Sequence, residues 1–127
     1  MNTPLLVVLH RFLLLFALFF LSGSALAFQG PVSLASLPAE AQATLAQIHR
    51  GGPYAYPRDG IVFSNFEKRL PLQRRGYYHE YTVPTPGVRS RGARRIIAGE
   101  GPGRDVRTSN EYWYSDDHYK TFARIRE

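Results

Sequence analysis

Two groups able to move a proton, His79 and Glu80, sit side by side in the run Tyr77-Tyr78-His79-Glu80-Tyr81-Thr82-Val83, whose aromatic and β-branched residues read as a strand. Successive side chains of a strand project to opposite faces, so these two cannot serve one site. One faces whatever covers the sheet, and the other faces the open side. A strand carboxylate is as readily a solvated or ion-paired surface group. Further on come Arg89, Arg91, Arg94 and Arg95. Arg91 and Arg95 share parity if both are extended, about 13 Å apart, a gap that two guanidinium arms can close on one phosphate. The planar fork of arginine meets phosphate oxygens in pairs. The same cluster would also make a solvated basic edge that deters sheet association.

His118, in Ser115-Asp116-Asp117-His118-Tyr119, stands at the expected turn into the last strand, where it could act as a general acid with the Tyr119 hydroxyl beside it. A lone loop histidine is equally a solvated side chain, and His49 reads as a cation at a helix C-terminus. Phe63-Ser64-Asn65-Phe66-Glu67 brings amides, two rings and a carboxylate close together. Turn chemistry accounts for the Ser and Asn. Two rings flanking a carboxylate can also hold a base by stacking while its edge is read by hydrogen bonds.

These groups need elements to hold them. Pro38-Ala39-Glu40 predicts a helix start, with Pro at the first helical position and a carboxylate in the first turn. Ala41, Leu45 and Ile48 follow at helical spacing, His49 and Arg50 fall in the last turn, and Gly51-Gly52 ends it. Strands are expected over residues 61–63, 77–83, 94–98 and 119–125, separated by Pro- and Gly-bearing turns at 57–60, 84–87 and 99–103. One helix followed by strands is an α+β arrangement, the helix covering one sheet face. The segment from Gly99 to Asp117, with Tyr112, Trp113 and Tyr114, receives no element.

The chain has 127 residues, 44% of them hydrophobic, and no cysteine, which bounds it to one small domain stabilised by its core alone. Arg11, the apolar run 12–21 and Ser22-Gly23-Ser24-Ala25-Leu26-Ala27 form a charged n-region, an h-region and an Ala-x-Ala site. Residues 1–27 are therefore expected to be a signal peptide cleaved after Ala27, leaving a secreted domain, 28–127, without a stable membrane association. An uncleaved anchor fits less well, because His10 and Arg11 interrupt the roughly 20 apolar residues a span needs. Without Arg11, 15 basic side chains remain against 10 acidic ones, a balance that draws polyanions but carries no fold information. With no Cys and only scattered His, no metal or cofactor is expected.

Tyr77 through Val83, Arg91-Gly92-Ala93-Arg94-Arg95-Ile96-Ile97, Phe63-Ser64-Asn65 with Glu67, and Asp117-His118-Tyr119-Lys120-Thr121-Phe122 with Ile125-Arg126 occur in an order that resembles the microbial guanyl-specific ribonuclease family (ribonuclease Sa and barnase-like). The resemblance covers the whole chain after residue 27. It implies an N-terminal helix packed on a twisted antiparallel β-sheet, with the site on the face away from the helix. By that resemblance Glu80 is the general base toward the ribose 2′-OH and His118 the general acid toward the departing 5′ oxygen. Arg91 and Arg95 stabilise the phosphorane, and Tyr119 holds the phosphate. Phe63, Ser64, Asn65, Phe66 and Glu67 bind guanine, and Tyr56 joins the substrate-binding set. Single-stranded RNA would be cleaved 3′ of guanosine to a 2′,3′-cyclic phosphate and then to a 3′-phosphate, without a metal.

The resemblance also implies a monomer with a barstar-like acidic protein inhibitor. Ser33 and the C-terminal tail lack cysteines found in part of the family, and neither lysine, Lys68 or Lys120, matches an active-site lysine some members carry. Phe66 stands where the family has Arg, keeping a ring and losing a charge. Two other readings remain: a non-catalytic RNA or polyanion-binding module on the same basic face, and a ribonuclease toxin domain. Glu67, for its part, has the bland alternative of pairing with Lys68 or Arg69.

Overall fold

In a computed structural model that describes residues 28–127, the chain forms one α-helix, α1 (Ala39–Arg50), preceded by a single 3-10 turn (Leu34–Ser36), and six strands. The strands are β1 (Val32–Ser33), β2 (Val62–Phe63), β3 (Tyr78–Thr82), β4 (Arg95–Gly99), β5 (Tyr112–Ser115) and β6 (Ala123–Arg126). The expected signal peptide lies outside the described residues. Among the described residues, no helix is long and apolar enough to cross a membrane.

Pro38, expected at the first helical position, is instead the N-cap of α1, which starts one residue later at Ala39, and its carbonyl accepts the amides of Ala41 and Gln42 at 2.9 and 3.2 Å. The helix ends at Gly51, whose φ of 79° is left-handed and free of strain only for glycine. Ala41, Leu45 and Ile48 are buried as their spacing requires, together with Thr44.

The sheet runs β1-β6-β5-β4-β3-β2, antiparallel throughout except for the parallel pair β1 and β6. Strand alternation divides it into two apolar layers. Tyr81, Val83, Ile96, Ala98, Tyr112 and Ile125 pack under α1 against Leu37, Ala41, Leu45 and Ile48. Tyr78, Ile97, Trp113 and Phe122 lie in the other layer with Leu70 and Tyr77. That second layer covers only part of its face. Beyond it, register sets Glu80 opposite Ile97, and Thr82 and Ser115 on either side of Arg95.

Three expectations need correction. The last strand begins at Ala123, not at 119, because His118 and Tyr119 have φ of 54° and 74° and form a left-handed turn. Arg91 is not on a strand with Arg95, since β4 starts at Arg95 and Arg91 belongs to the loop before it. Tyr112, Trp113 and Tyr114, left without an element, lie in a central strand.

The layer under α1 supplies a direct test. Leu45→Ala empties a fully buried position and should cost about 2–5 kcal/mol. The loss is read as a lower urea midpoint at unchanged m.

Candidate active site

Glu80 is 6% exposed, on the face away from α1. A buried carboxylate demands positive charge and donors around it. Its Oε2 accepts the Tyr119 hydroxyl in a short hydrogen bond. Its Oε1 faces Arg58 Nε at 3.4 Å and Arg91 Nη2 at 3.8 Å, yet makes no hydrogen bond. Arg91 instead donates from Nε and Nη2 to Thr82 Oγ1 at 3.0 and 2.9 Å. Arg95, 3% exposed, donates from Nη1 to the carbonyls of Gly92 and Arg94 and lies 5.9 Å over the Tyr119 ring. Its Nε is the second buried polar atom without a partner among the described residues. A carboxylate oxygen and a guanidinium N–H, both unfilled on one sheet face, are an acceptor and a donor available to a ligand.

His118 and Tyr119 reach this face because the preceding turn is clamped. Asp117 Oδ1 accepts Ser115 Oγ at 2.9 Å and the Thr121 amide at 3.0 Å, and its Oδ2 accepts Thr121 Oγ1 at 2.6 Å. Ser115 Oγ accepts the Tyr119 amide at 3.0 Å, and the His118 amide donates to the Ala93 carbonyl at 3.0 Å. Burial works against the charged form of Asp117. The Thr121, Ser115 and Lys120 hydrogen bonds outweigh it and hold the carboxyl below its usual range. Burial, and then the bond to Glu80, push the Tyr119 hydroxyl well above the ordinary tyrosine value, so it stays a donor.

Beside the turn, residues 63–67 line a cavity of about 200 Å³ with Arg69, His118, Tyr119 and Phe122. Asn65 shapes it: at φ 53° its side chain exchanges two 3.1 Å hydrogen bonds with the Leu70 backbone. No hydrogen bond from the Asn65, Phe66 or Glu67 amide is seen among the described residues. The Phe63 ring lies 4.8 Å from that of Tyr119, tilted by 37°, whereas Phe66 is 88% exposed. The Glu67 side chain, 66% exposed, pairs with Arg69 at 2.5 Å, so its bland alternative holds in the free protein although the residue also lines the cavity.

Two residues stand apart from this group. Tyr56 lines a separate cleft with Thr44, Asp59, Thr82 and Pro84. His79, on the α1 side of β3, binds the Gly60 carbonyl and Glu100, each at 2.9 Å. That bond to His79, with further help from Arg74, holds the Glu100 carboxyl below its usual range.

Arg58 was not among the sequence candidates. Pro57-Arg58-Asp59-Gly60 reads only as a turn, and the neighbour that gives Arg58 meaning is 22 positions away in sequence. Ser115, Thr82 and Asp117, which hold the reactive groups in place, carry no signal beyond ordinary polar residues.

Comparison with known proteins is consistent with this arrangement. Residues 23–126 match the model of a family described as ribonuclease. Guanyl-specific ribonuclease Sa of Kitasatospora aureofaciens is 52% identical over 96 residues, 76% of this chain and 93% of that protein. Guanyl-specific ribonuclease St of Saccharopolyspora erythraea is 52% identical over 91 residues, 72% of this chain and 82% of that protein. A crystal structure of ribonuclease Sa2 with guanosine-2′-cyclophosphate aligns with a TM-score of 0.66 at 49% identity, covering 77% of this chain and 97% of that one.

The Asp117 clamp makes stability depend on pH in a defined direction. A carboxyl held low when folded binds fewer protons than the unfolded chain, so its contribution is present above the ordinary value of about 3.9 and is lost as pH falls through the folded value. Asp117→Asn should lower the melting temperature at pH 7. The gap from the parent should narrow below about pH 4, as thermal unfolding across pH will record.

Proposed function

The chain belongs to the microbial guanyl-specific ribonuclease family, and on that premise we propose that it cleaves single-stranded RNA on the 3′ side of guanosine. One observation carries the mechanism: the buried Glu80 carboxylate has one oxygen held by Tyr119 and the other, Oε1, without a hydrogen-bond partner beside two arginines. Oε1 takes the proton from the ribose 2′-OH, and the 2′ oxygen attacks phosphorus. The bond from phosphorus to O5′ breaks as His118 donates a proton to that oxygen. Arg91 and Arg95 carry the charge that grows on the phosphorane oxygens, already oriented by Thr82 and the 92–94 backbone. The substrate brings its own nucleophile, so the protein supplies position, charge and proton transfer. The product is a 2′,3′-cyclic phosphate. Water then opens it to a 3′-phosphate with the two proton carriers exchanging roles.

Guanine fits the cavity between the Phe63 ring and the exposed ring of Phe66. The free loop amides supply donors for O6 and N7, and Glu67 leaves Arg69 to accept N1–H and the exocyclic amine. Adenine offers neither donor there. Tyr56, in its separate cleft, is assigned to RNA beyond the guanosine. Export after Ala27, a monomeric state and a barstar-like acidic inhibitor facing Arg91, Arg95 and His118 belong to the same reading. They are supported by the signal-like residues 1–27 and by the excess of 15 basic over 10 acidic side chains after residue 27.

Incubating the purified protein with guanylyl-cytidine and adenylyl-cytidine dinucleotides tests the proposal. Guanosine 2′,3′-cyclic phosphate is the expected product, whereas binding without cleavage would make the chain a binding module. Glu80→Gln and His118→Gln should each lower kcat by about 10² to 10⁴, while His79→Gln, on the other face, should do far less. Glu67→Ala should cost guanosine substrates roughly 1.5–3 kcal/mol in kcat/KM and adenosine substrates little. An equal loss on both would mean that Glu67 only shapes the loop.

A further inference from the structure

We propose that Arg58 is a third phosphate-binding arginine of the site, held at the general base in the free protein and transferred to the scissile phosphate when RNA binds. The inference rests on the ribonuclease reading above and extends it to a residue outside its catalytic set.

The backbone at Arg58 is fixed, although its side chain is 63% exposed. Asp59 accepts the Tyr56 amide at 3.3 Å and the Thr82 amide at 2.8 Å, and the Gly60 amide donates to the Glu80 carbonyl at 2.8 Å. The Ile61 amide closes the turn on the Arg58 carbonyl at 3.2 Å. These bonds tie the 56–61 segment to the β2 side of β3, level with Glu80. Arg95 approaches from β4, the opposite flank. A group bound over Glu80 would thus meet guanidinium ions from both sides.

The contact with Glu80 is poorly suited to a structural role. Arg58 Nε lies 3.4 Å from Oε1 without forming a hydrogen bond, and neither terminal nitrogen of Arg58 has a partner among the described residues. Ion pairs with one partner this exposed contribute little to stability and exchange readily. Oε1, buried beside Arg58 and Arg91, is also the Glu80 oxygen left without a hydrogen bond, since Tyr119 holds Oε2. A 2′ oxygen within hydrogen-bond reach of Oε1, poised for attack, lies about 3–3.5 Å from phosphorus. A guanidinium already 3.4 Å from Oε1 is therefore within a side-chain adjustment of a non-bridging phosphate oxygen. The exchange leaves Oε1 clear for the 2′ proton and places a further positive charge where negative charge develops.

Calorimetric binding of guanosine 3′-phosphate and of guanosine separates this role from a structural one. Arg58→Gln should weaken guanosine 3′-phosphate roughly tenfold, the loss of one charge-assisted contact, and leave guanosine unchanged. On long single-stranded RNA, the plot of log kcat/KM against log salt should become shallower by about 0.7, the share of one phosphate contact. Arg58→Lys should restore most of that slope. Arg50→Gln, which removes the same charge from an exposed position at the C-terminal end of α1, should match the parent in both assays. Equal weakening of both ligands, or an unchanged ligand ratio with an unchanged salt slope, would overturn the proposal. If the parent bound guanosine 3′-phosphate but cleaved nothing, the ribonuclease reading would fail, while the ligand ratio would still decide the role of Arg58.

Discussion

Burying the Glu80 carboxylate on a sheet face obliges the surrounding chain to supply compensation, because an isolated charge removed from water is far too costly to keep. Much of the open face can be followed from that obligation. Arg95, itself buried, stands one strand away, and Arg91 is steered toward the carboxylate by Thr82. The Tyr119 hydroxyl must reach Oε2, so the chain after β5 has to bend sharply enough to aim it there. Two consecutive left-handed residues provide the bend. Such backbone is unfavourable for His and Tyr, and Asp117, Ser115 and Thr121 hold it with four hydrogen bonds. His118 is thus displayed by a turn whose shape is set from below.

The sheet serves two purposes by strand alternation alone. Tyr81 and Val83 anchor β3 to α1, while Glu80 and Thr82, on the intervening positions, face the site. Rigidity under α1 is passed directly to Glu80 and Thr82, since they alternate with core residues on one strand. His79 shows the opposite assignment: one position from Glu80, it is consumed by Gly60 and Glu100 in a local brace.

What could be read from the sequence follows the strength of local periodicity. The helix was legible because Ala41, Leu45 and Ile48 repeat at its spacing and Gly51 ends it. β3 was legible within a residue at each end, and with it the separation of His79 from Glu80. β5 was not, because Tyr112-Trp113-Tyr114 is aromatic on both faces and hides the two-residue alternation. The 118–119 turn escaped notice for lack of a glycine, its usual marker. Arg91 was misplaced on a strand because loop and strand arginines look alike in a cluster. Arg58 acquires a neighbour only through the fold. Glu67 shows a further limit: both its pairing with Arg69 and its position in the cavity were foreseeable, but its choice between them depends on a ligand.

The parallel pairing of β1 with β6 bears on the order in which the fold assembles. Among the described residues, Val32–Ser33 finds its sheet neighbour in Ala123–Arg126, about 90 positions further along, and contacts between such distant segments are slow to form. Phe28 likewise bridges to Phe122, which lines the cavity beside the 118–119 turn. The segment carrying His118 and Tyr119 runs between β5 and β6, next to the strand that makes this distant closure. Glu80 and Arg95, joined through the pairing of β3 with β4, come from segments much closer in sequence, so the face opposite α1 is completed last from its most distant parts.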